Sequence, residues 1–213
     1  MQIAAFSDVH GNLSALTAVW RAIERDRLDI HPVFNAGDNV GYGDSPEQCV
    51  QFLRQRPNIV NVRGNYDKNV AVFPEREEDY RRRWRRKRPE KYEALRDDSA
   101  VISASTRAWL RDLPKELTLK LGCAASILLT HYAPGVKEGL GPWTPDERLV
   151  ELAKSARTDI VICGHTHMAF VRRAGGVLFV NPGTVGRNWN RKPTYAVLTL
   201  EDGRPPAAEI CTP

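Results

Sequence analysis

Six short apolar runs punctuate this sequence, and each stops abruptly at a small polar cluster. Residues 2–7 lead into Asp8-Val9-His10-Gly11-Asn12, residues 32–36 into Gly37-Asp38-Asn39, and residues 59–63 into Gly64-Asn65-Tyr66-Asp67. Residues 124–129 lead into Thr130-His131, residues 159–163 into Gly164-His165-Thr166-His167, and residues 177–180 into Asn181-Pro182-Gly183-Thr184. Between the first runs, Leu13, Leu16, Val19, Trp20 and Ile23 recur at helical spacing, and residues 46–56 open on Pro46, which suits a first helical turn. Strand alternating with helix favours a parallel or mixed sheet covered by helices, and such sheets bind ligands beyond the carboxyl ends of their strands. All six polar tips should therefore meet at one edge.

Two regions depart from this rhythm. Residues 169–173, 177–180 and 194–200 are short and β-rich, interrupted by Gly175-Gly176 and a polar stretch, and read as antiparallel strands of a second sheet. Residues 73–111 are heavily charged: Arg81, Arg82, Arg83, Arg85, Arg86, Lys87 and Arg88 follow Glu75, Glu77, Glu78 and Asp79, with a break at Pro89. This stretch reads as two or three helices inserted between the third strand and the second half. The expected architecture is α/β: a four-layer αββα sandwich with a mixed double sheet, one domain over residues 1–213, and a helical insert at about residues 73–111.

The clusters are rich in groups that ligate metals of borderline hardness, namely carboxylate oxygen and imidazole nitrogen. If residues 8–10 are extended, Asp8 and His10 point to one side and can grip one ion. Asp38, on the tip between the first and third clusters, is the natural bridging carboxylate. Asn65 offers a neutral oxygen to a second ion, and His165 and His167 alternate so as to serve different ions. Two ions about 3.5 to 4 Å apart can clamp the attacking and leaving oxygens of a phosphoryl transfer.

In order and spacing, Asp8-Val9-His10, Gly37-Asp38-Asn39, Gly64-Asn65-Tyr66-Asp67, His131 and Gly164-His165-Thr166-His167 resemble the motifs of calcineurin-like metallophosphoesterases. Residues 37–43 and 181–186 resemble the small single-domain phosphodiesterase branch in particular. The resemblance implies Asp8, His10, Asp38 and His167 on one ion, and Asp38, Asn65, His131 and His165 on the other. Asp38, Asn65 and His131 would thereby share in catalysis. It also implies two divalent ions, manganese first and iron, zinc or nickel as alternatives, with a metal-bridging hydroxide attacking a phosphodiester or nucleotide-type phosphoanhydride. The family pattern has histidine where this chain has Tyr66. That histidine is the acid for the leaving oxygen, and the following aspartate, here Asp67, orients it. Tyrosine, with an ordinary pKa of about 10, is a poorer proton donor near neutrality and favours substrates with good leaving groups.

Asn12, Arg63, Tyr42 and Arg187 lie near these clusters and are candidate substrate contacts, although Asn12 and Arg63 can equally fix their own loops. Trp84 within the arginine run invites a nucleic-acid reading, but acidic neighbours at helical spacing favour a solvated helix face. His31 reads as a surface histidine and Cys163 as a buried, inert thiol. The formal charge of +5 suits an anionic partner, a small phosphate ester or nucleotide, though much of it comes from the arginine run. Four cysteines without CxxC spacing, and an N-terminus lacking a basic segment or long apolar stretch, point to a reducing cytoplasmic setting and no membrane span. The alternatives are a non-catalytic protein-binding scaffold on this fold and a protein phosphatase; oligomeric state is not legible.

Overall fold

The computed structural model describes residues 1–25, 32–122, 125–187 and 192–213. His31, Cys123 and residues 188–191 lie outside the described residues. The first half runs β1 (Gln2–Phe6), α1 (Leu13–Arg25), β2 (Val33–Asn35), α2 (Pro46–Arg54) and β3 (Ile59–Asn61), with the three strands parallel in the order β1-β2-β3. Four helices follow without an intervening strand: α3 (Asn65–Ala71), α4 (Phe73–Trp84), α5 (Pro89–Val101) and α6 (Ala104–Asp112). The charged insert is thus three helices, α4 to α6, entered through α3.

A second sheet contains β4 (Glu116–Lys120), β5 (Ser126–Thr130), β6 (Ile160–Ile162), β7 (Phe170–Ala174) and β8 (Val177–Asn181), with α7 (Asp146–Ala156) between β5 and β6. Its order is β4-β5-β6-β8-β7, and β5, β6 and β8 are parallel. The chain closes with β9 (Tyr195–Thr199) and β10 (Ala207–Cys211), which return to the first sheet and complete the order β10-β9-β1-β2-β3.

That return corrects the sequence reading for residues 194–200, which were assigned to the second sheet. β9 instead pairs antiparallel with β1, Gln2 opposite Thr199 and Ala5 opposite Ala196. Its alternation explains why: Tyr195 and Val197 pack toward α1, whereas Ala196 and Leu198 enter the core between the sheets. A strand buried on both faces cannot serve as an exposed edge.

The period-two pattern assembles the layers. Ala4 and Phe6 face α1 and α2, while Ile3 and Ala5 meet Ile127, Leu129, Ile160 and Ile162 across the inter-sheet core. Leu128, Val161 and Phe179 turn the other way onto Leu149 and Leu152 of α7. The result is the α/β sandwich. Parallel strands of both sheets end at one side, so their polar tips converge from two sheets.

Asn12 illustrates how the first tip is secured. Its Oδ1 accepts the Ala15 amide at 3.0 Å, capping α1, and its Nδ2 donates to the Gly186 carbonyl at 3.3 Å. Both ends of its amide are thus engaged in fixing the loop that carries the first cluster. Asn12→Ala is expected to cost about 1 kcal/mol of stability, the usual value of a lost N-cap, measured by urea denaturation.

Candidate metal centre

Two groups of buried donors stand at the convergence of the strand tips. Asp8, His10 and His167 form one, Asp38, His131 and His165 the other, and within each group the donor atoms lie within 4.8 Å of one another. In the first, Asp8 Oδ1 is 3.7 Å from His10 Nε2 and 3.2 Å from His167 Nε2, and the two imidazole nitrogens are 3.0 Å apart. Nitrogen or oxygen ligands about 2.1 Å from a tetrahedral ion stand about 3.4 Å from each other, so this triangle has the dimensions of a coordination face. In the second group His131 Nε2 faces Asp38 Oδ2 at 3.3 Å.

The surroundings aim these atoms. His10 Nδ1–H donates to the Val40 carbonyl and His131 Nδ1–H to the Ala36 carbonyl, which turns both Nε2 atoms toward the groups. Asp8 Oδ2 accepts from the Ser7 hydroxyl and the His165 amide, leaving Oδ1 to face His10 and His167. Among the described residues, Asp8 Oδ1 and His131 Nε2 are buried with no hydrogen-bond partner. Buried polar atoms without partners are costly, and a divalent cation is what these would take. Burial lowers the pKa of His10 to about 4, and burial together with the charge on His131 lowers that of His165 to about 4, so both present unprotonated rings as ligation requires. Burial opposes charge on His131 as well, but the Asp38 carboxylate prevails and holds its pKa up at about 9.

The backbone carrying these donors is not extended, contrary to the expectation for Asp8 and His10. Asp8, His10, Asp38, His165 and His167 all have left-handed backbone, with φ between 49° and 72°. Each such residue other than glycine costs on the order of 1 kcal/mol or more, a strain that folded proteins concentrate at functional sites.

Asp38 is fixed from both sides. Its Oδ1 accepts the Tyr66 amide at 2.7 Å, and its own amide donates to Asp67 Oδ2 at 2.9 Å. Asp67 also accepts the amides of Asn39 and Gly64 and the side chain of Asn39. Asp67 therefore positions the Asp38 loop through its backbone. Burial and the neighbouring Asp38 raise its pKa to about 7, against the pull of those amides.

Tyr66 packs its ring edge-on to His10, 5.1 Å between centroids, and its hydroxyl contacts the Tyr42 hydroxyl. Burial pushes its pKa far above the ordinary tyrosine value. Asn65 reaches the same region, where its Oδ1 accepts from the Tyr132 hydroxyl at 3.0 Å. Tyr132, which also packs against His165, was missed by the sequence reading; its only signal was adjacency to His131.

Both donor groups open into a cavity of about 1290 Å³ walled by α4 and α5. Tyr42 and Arg187 line it, the guanidinium 3.7 Å from the Tyr42 ring centroid. Arg63 lines it as well but donates to the Arg111 carbonyl at 2.6 Å. Cys163 is buried, free and pushed up to about 12 by burial, hence inert.

The chain matches the calcineurin-like phosphoesterase superfamily domain over residues 1–203. An uncharacterised protein of Methanocaldococcus jannaschii is 28% identical over 222 residues, spanning 94% of this chain and 83% of that one. A hypothetical protein of Pyrococcus horikoshii superposes with a TM-score of 0.84 at 19% identity, over 99% of this chain and 87% of its own. A metallophosphoesterase of Sphaerobacter thermophilus gives 0.72 at 24%, over 93% and 84%. Vacuolar protein sorting 29 of Cryptosporidium parvum gives 0.56 at 17%, over 100% and 98%. At these identities the solved structures establish the fold alone, whereas the domain match spans nearly the whole chain. The chain belongs to the calcineurin-like phosphoesterase superfamily.

Proposed function

We propose that the chain hydrolyses a phosphodiester or a nucleotide-type phosphoanhydride, using two divalent ions, manganese first. Asp8, His10 and His167 would hold one ion, Asn65, His131 and His165 the other, with Asp38 shared. The observation that carries this reading is the pair of buried donor groups with unsatisfied Asp8 Oδ1 and His131 Nε2, at the head of a basic cavity. Bound there, such ions polarise phosphoryl oxygens and acidify water at neutral pH. The protein's own part is positioning: Asp67 and the Tyr66 amide hold Asp38, and Tyr132 holds Asn65. Arg187 and Tyr42 face the substrate side, where a guanidinium can hold a phosphoryl oxygen.

Burial makes the Tyr66 hydroxyl a weak proton donor, which favours a substrate whose leaving group departs without that help. On an aryl diester, Tyr66→Phe is expected to keep kcat/KM within about threefold. Tyr66→His should raise alkyl monoester hydrolysis by about tenfold or more, within the range typical of a placed general acid. A leaving-group series across the three proteins checks this; identical profiles would remove residue 66 from the chemistry.

The scaffold reading draws support from the likeness to vacuolar protein sorting 29 and from Tyr66 itself. Against it stands the opening of both donor groups into a cavity whose charged lining is mostly Lys and Arg, which suits a phosphate ester. A protein phosphatase needs an open groove, whereas α4 and α5 wall this cavity. Reduced, buried Cys49 and Cys163 suit a cytoplasmic setting, and no described helix is long and apolar enough to cross a membrane. The decisive test is hydrolysis of bis-aryl diester, aryl monoester, cyclic nucleotide and dinucleoside polyphosphate with manganese, zinc or nickel. Turnover of the diester or polyphosphate is the expected result; none of the four, with metal bound, favours the scaffold.

A further inference from the structure

The arginine run divides between two environments. Arg81 pairs with Glu78 and Arg82 with Asp79, each at 2.6 Å on the outer face of α4. Arg83, Lys87, Arg88 and Lys91 instead line the cavity, and none has a carboxylate partner among the described residues. The opposite side brings Lys68, Lys115 and Lys137 to the same space. Among the described residues lining the cavity, ten are Lys or Arg and three are carboxylates, of which Asp38 belongs to the donor groups.

These cations crowd one another. Burial, followed by the charges of Lys137, Arg63, Lys115 and Arg76, lowers the pKa of Lys68. Burial likewise lowers that of Lys91, with Arg88 and Arg83 adding to the effect and Asp38 opposing it. Like charges gathered without counter-charge destabilise a fold, and such conflicts are retained where a ligand resolves them. A single phosphoryl group at the metal centre leaves this wall unused.

We propose that the cavity side of α4, α5 and their connecting turn is a second anion-binding site, and that the substrate is a small molecule carrying several phosphate groups. One phosphoryl group is cleaved at the donor groups while Arg83, Lys87, Arg88 and Lys91 hold the others. Recognition is by charge rather than by base stacking, because the Trp84 ring is already engaged. Tyr80 stacks on it at 4.7 Å, and the Lys91 ammonium lies 4.5 Å from its centroid. Arginine forks match phosphate oxygens, and two sides of a cavity suit a compact polyanion. The proposal rests on the phosphoesterase reading for the reaction but not for the binding.

Calorimetry on metal-stripped protein, where chelation plays no part, tests it with inorganic tripolyphosphate, orthophosphate and a short single-stranded RNA. Tripolyphosphate should bind at least about tenfold more tightly than orthophosphate. Arg83→Ala/Lys87→Ala/Arg88→Ala should lose that advantage, while the outer-face variant Arg81→Ala/Arg82→Ala stays within about twofold of wild type. Equal affinity for the two phosphates, equal loss in both variants, or tighter binding of RNA than of tripolyphosphate would overturn the proposal. Turnover of bis(p-nitrophenyl) phosphate by the manganese-loaded wild type is read separately. Tripolyphosphate binding lost only in the triple variant, with no turnover, would support the wall and defeat the hydrolase reading.

Discussion

Asp38→Asn is expected to lower kcat/KM on an aryl phosphodiester by at least about a thousandfold. Loss of a residue that merely orients a metal ligand typically costs 10–100-fold in metal affinity or activity, and a shared ligand costs more. The substitution preserves shape. An amide oxygen can still accept the Tyr66 amide at 2.7 Å, and the backbone amide of residue 38 still reaches Asp67. What disappears is the negative charge facing His131 at 3.3 Å. Bound metal measured by emission spectroscopy should fall below the wild-type content, and the rise in melting temperature on adding manganese should shrink with it. Wild-type activity and metal content in the variant would exclude Asp38 as a ligand.

Gly64→Ala is the second large effect, and it acts through space rather than charge. Gly64 has φ −81° and ψ −178°, a backbone any residue adopts. A Cβ there would stand 2.0 Å from Asp38 Oδ1 and 2.2 Å from the Asp38 amide nitrogen, with no flexible chain end to yield. Either Asp38 leaves its place or the loop opens. A stability loss of about 2–3 kcal/mol follows from overpacking of this kind, with activity reduced about a hundredfold or more. Gly122→Ala, where a Cβ would meet nothing within 4 Å, is the control and should change neither by a measurable amount. Near-wild-type activity in Gly64→Ala would mean that Asp38 has another productive position.

How much of this was legible follows from the range of each interaction. Parallel strands with short polar tips are written locally, in apolar runs and in the glycine, asparagine and aspartate that end them, so β1, β2, β3, β5, β6 and β8 could be read. The pairing of β9 with β1 could not, because nothing within residues 195–199 says which sheet edge is open to receive them. The hold of Asp67 on Asp38 and Asn39 could not be read either, because it runs to backbone amides 29 and 28 positions away, which carry no side-chain signature. The arginine run looked uniform in sequence; only the packing of α4 on α5 separates Arg81 and Arg82 from Arg83, Lys87 and Arg88. The bonds of Asn12 to the Gly186 carbonyl and of Arg63 to the Arg111 carbonyl were not legible either, because both partners are distant backbone groups.

The donor groups draw on both sheets: Asp8, His10 and Asp38 follow strands of the first, His131, His165 and His167 strands of the second. His10 and His167 are 157 positions apart in the chain yet 3.0 Å apart in space. An ion held between them is a reversible crosslink between sheets that also meet through an apolar core and a few hydrogen bonds between their strand-end loops. A ligand at 100 times its dissociation constant adds about 2.7 kcal/mol to the native state, here applied across the seam. Metal loading should therefore fuse the opening of the two sheets into one cooperative event, and amide hydrogen exchange in β1 and β6 should slow together rather than one sheet at a time.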